Sequence, residues 1–294
     1  TINGSDEAYC LRVTNDGTEL DAYGEIAELT LEFTPTLGAV NLNGGQDISL
    51  MLGATTTVTA TATVTDLNGS GDLAVATTTF YRSGVGPSCT ADDNNCYIAT
   101  STCSFDACST NTCTLSCSAD FWYHADPTDS DSDFDGEEWY AFMEVADQNG
   151  NTDFGTSVGL IDVLTTLALD VDNAINYGTL DVNQDTGSFN PVTSILNLGN
   201  GPLDVNVVGA DLTDGGVSVI PANQQIFSTS TFTYDSCTSC AVLSATGTTF
   251  ELDLTKPTSS TPFLEDDIYW GIEIPFGTAS NPHTGNNTFY AIGD

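Results

Sequence analysis

The sequence predicts an all-β protein built as two sandwiches in tandem, with an N-terminal strand or arm and a disulfide-rich insertion. Three observations predict it. Short runs of alternating apolar and Thr-rich residues recur between clusters of Gly, Asn, Asp and Pro. Helical periodicity is scarce throughout. Six of the nine cysteines fall within residues 89–117, interrupting an otherwise regular succession of strands.

Taken in order, residues 1–34 hold a polar start and then Glu25 to Thr34, in which Leu29, Leu31 and Phe33 alternate with Thr30, Glu32 and Thr34. That is the period of a half-buried strand, ended by Pro35. It serves either as the first strand of the following sandwich or as an arm donated to another subunit. In residues 35–168, Val40–Leu42 and Ile48–Leu50 flank a Gly44-Gly45 turn. Thr55–Thr65 turns Val58, Ala60, Ala62 and Val64 to one face and threonines to the other, as β-branched residues on a pleated sheet do. Leu73–Tyr81, Trp139–Ala146 and Ser157–Asp162 continue the pattern around the turns Asp66-Leu67-Asn68-Gly69 and Asp147-Gln148-Asn149-Gly150. The spacing is that of an immunoglobulin-like sandwich, with residues 89–138 inserted between two of its strands. Residues 169–294 start again, with short strands including Leu167–Val171, Thr179–Val182, Thr193–Leu198, Leu203–Val208, Thr249–Leu254, Ile268–Ile274 and Thr288–Ile292. Their number suits a second sandwich.

The charge narrows the partners. The 294 residues carry 41 acidic and three basic side chains, for a net −38. Such a chain repels nucleic acid phosphates and anionic lipid and attracts cations. The three segments carry −7, −17 and −14, so the acidity belongs to habitat or ion content more than to one patch. Hydrophobic residues at 40% are enough to fill a core, and no apolar run approaches the length of a membrane span. The chain opens at Thr1 without an initiator Met or an apolar leader. With clustered cysteines, this is expected of a processed, extracellular or cell-surface protein in an oxidising environment. Asn3, Asn68 and Asn286 lie in N-x-Ser/Thr sequons, which makes them candidate glycosylation sites.

A resemblance accompanies these patterns. It rests on Asn41-Leu42-Asn43-Gly44-Gly45, Val64-Thr65-Asp66-Leu67-Asn68-Gly69, Phe80-Tyr81-Arg82-Ser83-Gly84, Cys89…Asp92-Asp93-Asn94-Asn95-Cys96-Tyr97, Tyr123-His124-Ala125-Asp126-Pro127-Thr128-Asp129 and Val145-Ala146-Asp147-Gln148-Asn149-Gly150-Asn151. These segments resemble bacterial immunoglobulin-like surface modules. More narrowly, they resemble uncharacterised exported proteins of ultra-small candidate-phylum bacteria, which are also Thr-rich with a cysteine-rich insertion between strands. The resemblance spans most of residues 36–294 and implies a cell-surface or filament role without an assigned activity. Proteins of this kind often carry a cysteine in the turn that here reads Gly69-Ser70-Gly71, and its absence implies an unpaired partner thiol.

The cysteines are read as a disulfide framework. Six allow fifteen pairings, and sequence alone does not choose among them. Proximity suggests Cys89–Cys96, Cys103–Cys117 and Cys108–Cys113. Zinc is the weaker reading, because those six lack C-x-x-C pairs and no histidine lies among them. Cys237-Thr238-Ser239-Cys240 is the one C-x-x-C. A redox motif would place it at a helix start after a strand; its β-prone surroundings favour a disulfide-closed turn instead. Cys10 is left odd, either free or bridging to a neighbouring chain.

The acidic run Asp126, Asp129, Asp131, Asp133, Asp135, Glu137 and Glu138 puts seven carboxylates within thirteen residues. Asp131-x-Asp133-x-Asp135-Gly136 matches the opening of a calcium loop. A full EF-hand needs Glu at the twelfth position, which here is Phe142. The expectation is therefore an improvised Ca2+ loop using Asp129, Asp131, Asp133, Asp135, Glu137 and Glu138, set against a merely solvated acidic loop. The turns at Asp66 and Asp147 are also able to hold ions, but turns of this composition usually need none.

No complete catalytic signature is present, so the reading is non-enzymatic. Asp185-Thr186-Gly187-Ser188 spells half of an aspartic-protease pair without its second copy, and reads as a turn. His124 is expected to be an exposed loop histidine. Trp122, Trp139 and Trp270 are core candidates before they are a sugar platform. The leading expectation is a structural subunit of an extracellular filament or surface layer, a homopolymer joined by sandwich contacts and strand donation. The alternative is a calcium-dependent adhesin or carbohydrate-binding protein whose partners are glycans or another cell surface.

Overall fold

The computed structural model describes residues 31–172 and 174–293. Asn3, Cys10 and most of the candidate donor strand Glu25–Thr34 lie outside the described residues. Phe33–Asp294 forms one compact unit containing two apolar cores.

The first core is built from β1 (Thr36–Leu37), β2 (Asn41–Leu42), β3 (Thr55–Thr65), β4 (Leu73–Arg82), β5 (Cys96–Ala99), β6 (Cys103–Asp106), β7 (Thr112–Trp122), β8 (Trp139–Asp147) and β9 (Thr152–Thr156). One antiparallel sheet runs β1-β3-β7-β6, with β2 also on β3, and the other runs β5-β4-β8-β9. The period-2 pattern sets which side chains meet. Val58, Ala60 and Val64 of β3 and Leu115 and Phe121 of β7 share one buried cluster with Phe80 of β4 and Trp139, Ala141, Met143 and Val145 of β8. Phe121 is its hub: the Tyr97 ring stacks on it at 4.1 Å, with Trp139 at 4.9 Å and Phe80 edge-on at 5.7 Å.

This arrangement corrects the expected insertion at 89–138. Residues 96–122 are not an excursion from the scaffold. Thr112–Trp122 pairs with Thr55–Thr65 along all eleven residues, and Cys96–Ala99 pairs with β4. Cys113 and Cys117 alternate with Ser and Thr on β7, so the cysteines mask an ordinary strand pattern. Within 89–138, residues 89–95, the short connections 100–102 and 107–111, and the stretch from Tyr123 to Glu138 lie outside strands.

The second core uses β10 (Leu169–Asp172), β11 (Val192–Asn197), β12 (Leu203–Val208), β13 (Leu212–Thr213), β14 (Val219–Ile220), β15 (Gln225–Ser228), β16 (Ala241–Val242), β17 (Thr248–Leu254), β18 (Glu265–Ile272) and β19 (Thr288–Gly293). The sheets run β10-β11-β18-β15-β16 and β17-β12-β19, with β13 and β14 as a separate pair. Ile195, Val205, Val207, Phe227, Leu252, Ile268 and Trp270 pack together between them. Each core holds a fully buried tryptophan with its ring N–H bonded: Trp139 to the Asp126 carbonyl at 3.0 Å and Trp270 to Thr193 Oγ1 at 2.9 Å.

Three expected strands do not form, the first being Ile48–Leu50, which makes one isolated bridge from Ile48 to Val163. Around Ser157–Asp162, Gly159 takes a φ of +114° and breaks the pleat, and the chain makes single bonds to Ala141, Trp139 and Ile48 in place of a ladder. Thr179–Val182 runs into a turn closed by Gln184 N–H on the Asp181 carbonyl, with Asn183 at φ +62°.

Candidate functional site

Of the three basic residues, two are described, and both converge on one buried carboxylate. Arg82 ends β4, Asp126 follows β7, and Lys256 follows β17. Arg82 Nε lies 3.1 Å from Asp126 Oδ2, and Lys256 Nζ lies 3.0 Å from Asp126 Oδ1. Asp126 is only 5% exposed. The Arg82 guanidinium also meets Glu137 Oε2 at 2.5 Å and lies 3.8 Å above the Phe134 ring. Burial pulls the Lys256 pKa down, with Arg82 acting the same way; Asp126 and Asp92 oppose it without reversing it.

This cluster joins the two cores. Beside it, Asn200 Nδ2 donates to the carbonyls of Ala125 (3.2 Å) and Leu164 (3.1 Å), while its Oδ1 accepts from Thr166 N–H at 2.6 Å. Gly53 N–H reaches the Leu198 carbonyl at 3.0 Å, and Asn94 Nδ2 the Thr258 carbonyl at 3.1 Å. His124, expected to be exposed, is fully buried here. Its Nδ1 lies 3.2 Å from Asn94 Oδ1 and its ring lies parallel to Trp122. The tertiary fold covers it, a fact that loop-like composition does not reveal.

The acidic run is mostly engaged with protein groups. Asp129 accepts from Thr165 N–H at 2.7 Å and Thr165 Oγ1 at 2.5 Å. Glu137 accepts from Arg82 and from Gly84 N–H at 2.7 Å. Glu138 accepts from Tyr140 O–H at 3.3 Å. Asp131, Asp133 and Asp135 are exposed. Of the six side chains expected to wrap a cation, none belongs to a group of three or more whose ligand atoms converge among the described residues. Arg82 holds Glu137, and Thr165 holds Asp129.

Three carboxylates converge elsewhere. Asp66, Asp72 and Asp147 each offer an oxygen, and these oxygens lie within 4.8 Å of one another. Asp66 follows β3, Asp72 closes the turn before β4, and Asp147 ends β8 directly opposite Leu73. Asp66 is fully buried and Asp147 is 3% exposed. Asp66 Oδ1 accepts from Asn68 N–H at 2.8 Å, whereas Oδ2 is buried without a hydrogen-bond partner, as is Asp72 Oδ2. Burial pushes the Asp66 carboxyl up and the charges of Asp72 and Asp147 push the same way, against the Asn68 N–H. Asp147 is held below its usual range. Burial opposes this, but Asn151 Nδ2 (2.7 Å) and the N–H groups of Asn151 (2.8 Å) and Asn149 (2.9 Å) outweigh it. The Asp66 and Asp147 turns are legible in sequence. Asp72 is not: the turn that follows Asp66 brings the two together, and the β4–β8 register sets them against Asp147.

A second trio, Asp204, Glu251 and Asp253, also converges. There Asp204 Oδ1 is already occupied by the N–H groups of Leu252 (2.7 Å) and Asp253 (2.9 Å).

All eight described cysteines are paired, as Cys89–Cys96, Cys103–Cys117, Cys108–Cys113 and Cys237–Cys240. The expected unpaired partner of the Gly69-Ser70-Gly71 turn is therefore absent among the described residues; Ser70 instead donates from N and Oγ to the carbonyls of Thr110 and Ser109. Asp185-Thr186-Gly187-Ser188 is a turn in which Gly187 N–H caps Asp185 Oδ1 at 2.6 Å. His283 Nε2 lies 2.9 Å from Ser218 Oγ, which also accepts from Ala279 N–H at 3.0 Å; the contact clasps two surface turns. Asn68 and Asn286 are exposed.

A groove of about 1110 Å³ runs along the second core, lined by residues including Tyr177, Gln225, His283, Asn286, Asn287 and Phe289. Gln225 Nε2 and Asn287 Oδ1 are buried without hydrogen-bond partners. Among the described residues no helix is long and apolar enough to cross a membrane. No protein-family model matches this chain, and no curated protein is similar to it.

Proposed function

We propose that the chain is a non-enzymatic structural subunit of an extracellular filament or surface layer, assembled as a homopolymer from tandem immunoglobulin-like sandwiches. The observation that carries this reading is the buried junction of Arg82, Asp126, Lys256 and Asn200. It spends both described cations of a strongly acidic chain on holding two cores together. A subunit that must transmit force between neighbours needs such a joint, because paired and hydrogen-bonded buried charges fix one geometry. Three of the four disulfides end on strands of the first core, and the set fits an oxidising exterior. Strand β9 ends its sheet with a ladder to β8 alone among the described strands and exposes Phe154. Such an edge accepts an added strand, and Glu25–Thr34 is the donor proposed for it.

Electron microscopy of the full chain tests this. Filaments or sheets are expected from the full chain and monomers from a chain lacking residues 1–34. A full chain that stays monomeric under all conditions, or a truncated one that polymerises equally well, rejects the reading. The alternative, a calcium-dependent adhesin or carbohydrate-binding protein, is favoured by the groove with its two unpaired amide atoms, Gln225 Nε2 and Asn287 Oδ1. Amide groups of this kind pair with sugar hydroxyls. That reading predicts a monomer with saturable glycan binding that is lost in EDTA.

A further inference from the structure

We propose that Asp66, Asp72 and Asp147 form a divalent-cation site, taking Ca2+, that fastens the Asp66–Asp72 turn to the end of β8. Two independent observations meet there. The first is geometric: one oxygen from each of three carboxylates lies within 4.8 Å of the others. Oxygens around Ca2+ sit about 2.3–2.6 Å from the ion, so those on opposite sides of a shell are roughly 5 Å apart. The second is an unmet need. Asp66 is fully buried, and its Oδ2 and that of Asp72 have no hydrogen-bond partner.

A buried carboxylate oxygen without a partner is costly, and three like charges add repulsion. Neither of the two described basic side chains is paired with this trio. The ion pairs among the described residues are those of Arg82 and Lys256 with Asp126 and Glu137. The donor set is all oxygen, with no imidazole or thiolate, which selects a hard cation. Irregular donors from a turn and a strand end suit Ca2+, whose shell is adaptable, better than Mg2+, which demands near-ideal octahedral geometry.

The framework is already in place. Gln148 N–H donates to the Asp72 carbonyl at 2.8 Å, and Gln148 Nε2 to the Gly71 carbonyl at 2.8 Å. The turn and the strand end are thus held together independently of an ion. The second trio carries no such inference, because none of its carboxylate oxygens is among the buried, unpartnered atoms of the described residues. The site stands apart from the filament reading, since a monomer would bind the ion equally well.

The test uses the full chain stripped with EDTA and titrated with CaCl2 by calorimetry at physiological ionic strength, with thermal melts alongside. Wild type is expected to bind Ca2+ and gain melting temperature. Asp72→Asn, which removes charge from an oxygen lacking a protein partner, should lose more than about tenfold in affinity. Without Ca2+ the same variant should melt no lower than wild type, because it relieves repulsion. A double variant of the exposed loop, Asp131→Asn with Asp133→Asn, should keep the binding. Unchanged affinity in Asp72→Asn, or binding abolished by the loop variant instead, overturns the proposal. If Asp72→Asn does not fold, Asp66→Asn and NMR of wild type with Mn2+ as probe take its place. Broadening is then expected first at the amides of Asn68, Leu73 and Gln148, and broadening that begins at residues 131–135 overturns the assignment.

Discussion

Lys256 Nζ lies 3.0 Å from Asp126 Oδ1, reaching across from the second core to a carboxylate whose other oxygen is held by Arg82 from the first. With its side chain only 8% exposed, Asp126 is compensated on both sides. Removing it takes away the carboxylate partner of the largely buried Lys256 and leaves Arg82 with Glu137 alone. Asp126→Ala is expected to destabilise the protein by about 3–5 kcal/mol, the cost of breaking a buried pair. Urea unfolding measures this, and a loss under about 1 kcal/mol would mean that the pair behaves as a surface salt bridge.

Asn200 is the neutral counterpart of that joint. It is fully buried and links Thr166, Ala125 and Leu164. Asn200→Ala orphans three backbone groups, with an expected loss of about 3 kcal/mol. Asn200→Asp should not rescue it, because a carboxylate cannot donate to the carbonyls of Ala125 and Leu164. Equal stability of wild type and Asn200→Asp would refute this account.

Next to Asn200, Gly199 marks a close approach of two backbones. A Cβ placed there would lie 2.0 Å from the Thr166 carbonyl oxygen and 3.0 Å from Ala168 N. Backbone on both sides cannot yield as a flexible side chain can. Gly199→Ala is expected to be among the most damaging single methyl additions in the chain, costing more than about 3 kcal/mol, above the usual overpacking range. Its soluble yield and melting temperature check this against Gly71→Ala, where nothing stands in the way.

His124 gives the folded protein a pH dependence. Burial lowers its pKa below 6.5, Lys256 lowers it further, and Asp93 and Asp126 partly oppose. The unfolded chain therefore takes up the proton first as pH falls. His124 contributes stability that is present above 6.5 and is lost as pH drops from that value towards the folded pKa. Urea midpoints measured from about pH 7.5 to 5 should fall for wild type and fall less for His124→Gln. Parallel curves for the two proteins would remove His124 from the explanation.

The disulfides should contribute unequally. Cys103–Cys117 closes a separation of 14 residues and ties β6 to β7, whereas Cys237–Cys240 closes a separation of three within one turn. On loop entropy alone these are worth about 3 and about 2 kcal/mol. Cys117 is also wholly buried in the first core, so replacing its pair with alanines loses packing as well. The Cys103→Ala/Cys117→Ala protein should unfold at clearly lower urea than Cys237→Ala/Cys240→Ala, and the reverse order would contradict this.

Sequence by itself determined the all-β class and most strand positions. Alternation at Thr55–Thr65 and Leu203–Val208 was legible to the residue, because a half-buried strand must show period 2 whatever it packs against. The Asx turns at Asp66 and Asp147 were legible for the same local reason: their bonds to Asn68, Asn149 and Asn151 span no more than four residues. Tertiary structure alone decided the rest. Sequence set the cysteine-rich stretch apart, and only pairing with β3 made Thr112–Trp122 a central strand. The acidic run looked like a cation shell, and only the fold gave Glu137 and Asp129 their partners Arg82 and Thr165, distant in sequence. Asp72 gained its place beside Asp147 through the register of β4 against β8. The junction at Asp126 depends on Arg82 and Lys256, 44 and 130 residues away along the chain. Local chemistry writes itself into short patterns. Long-range electrostatics does not, because the chain only brings those charges together by folding.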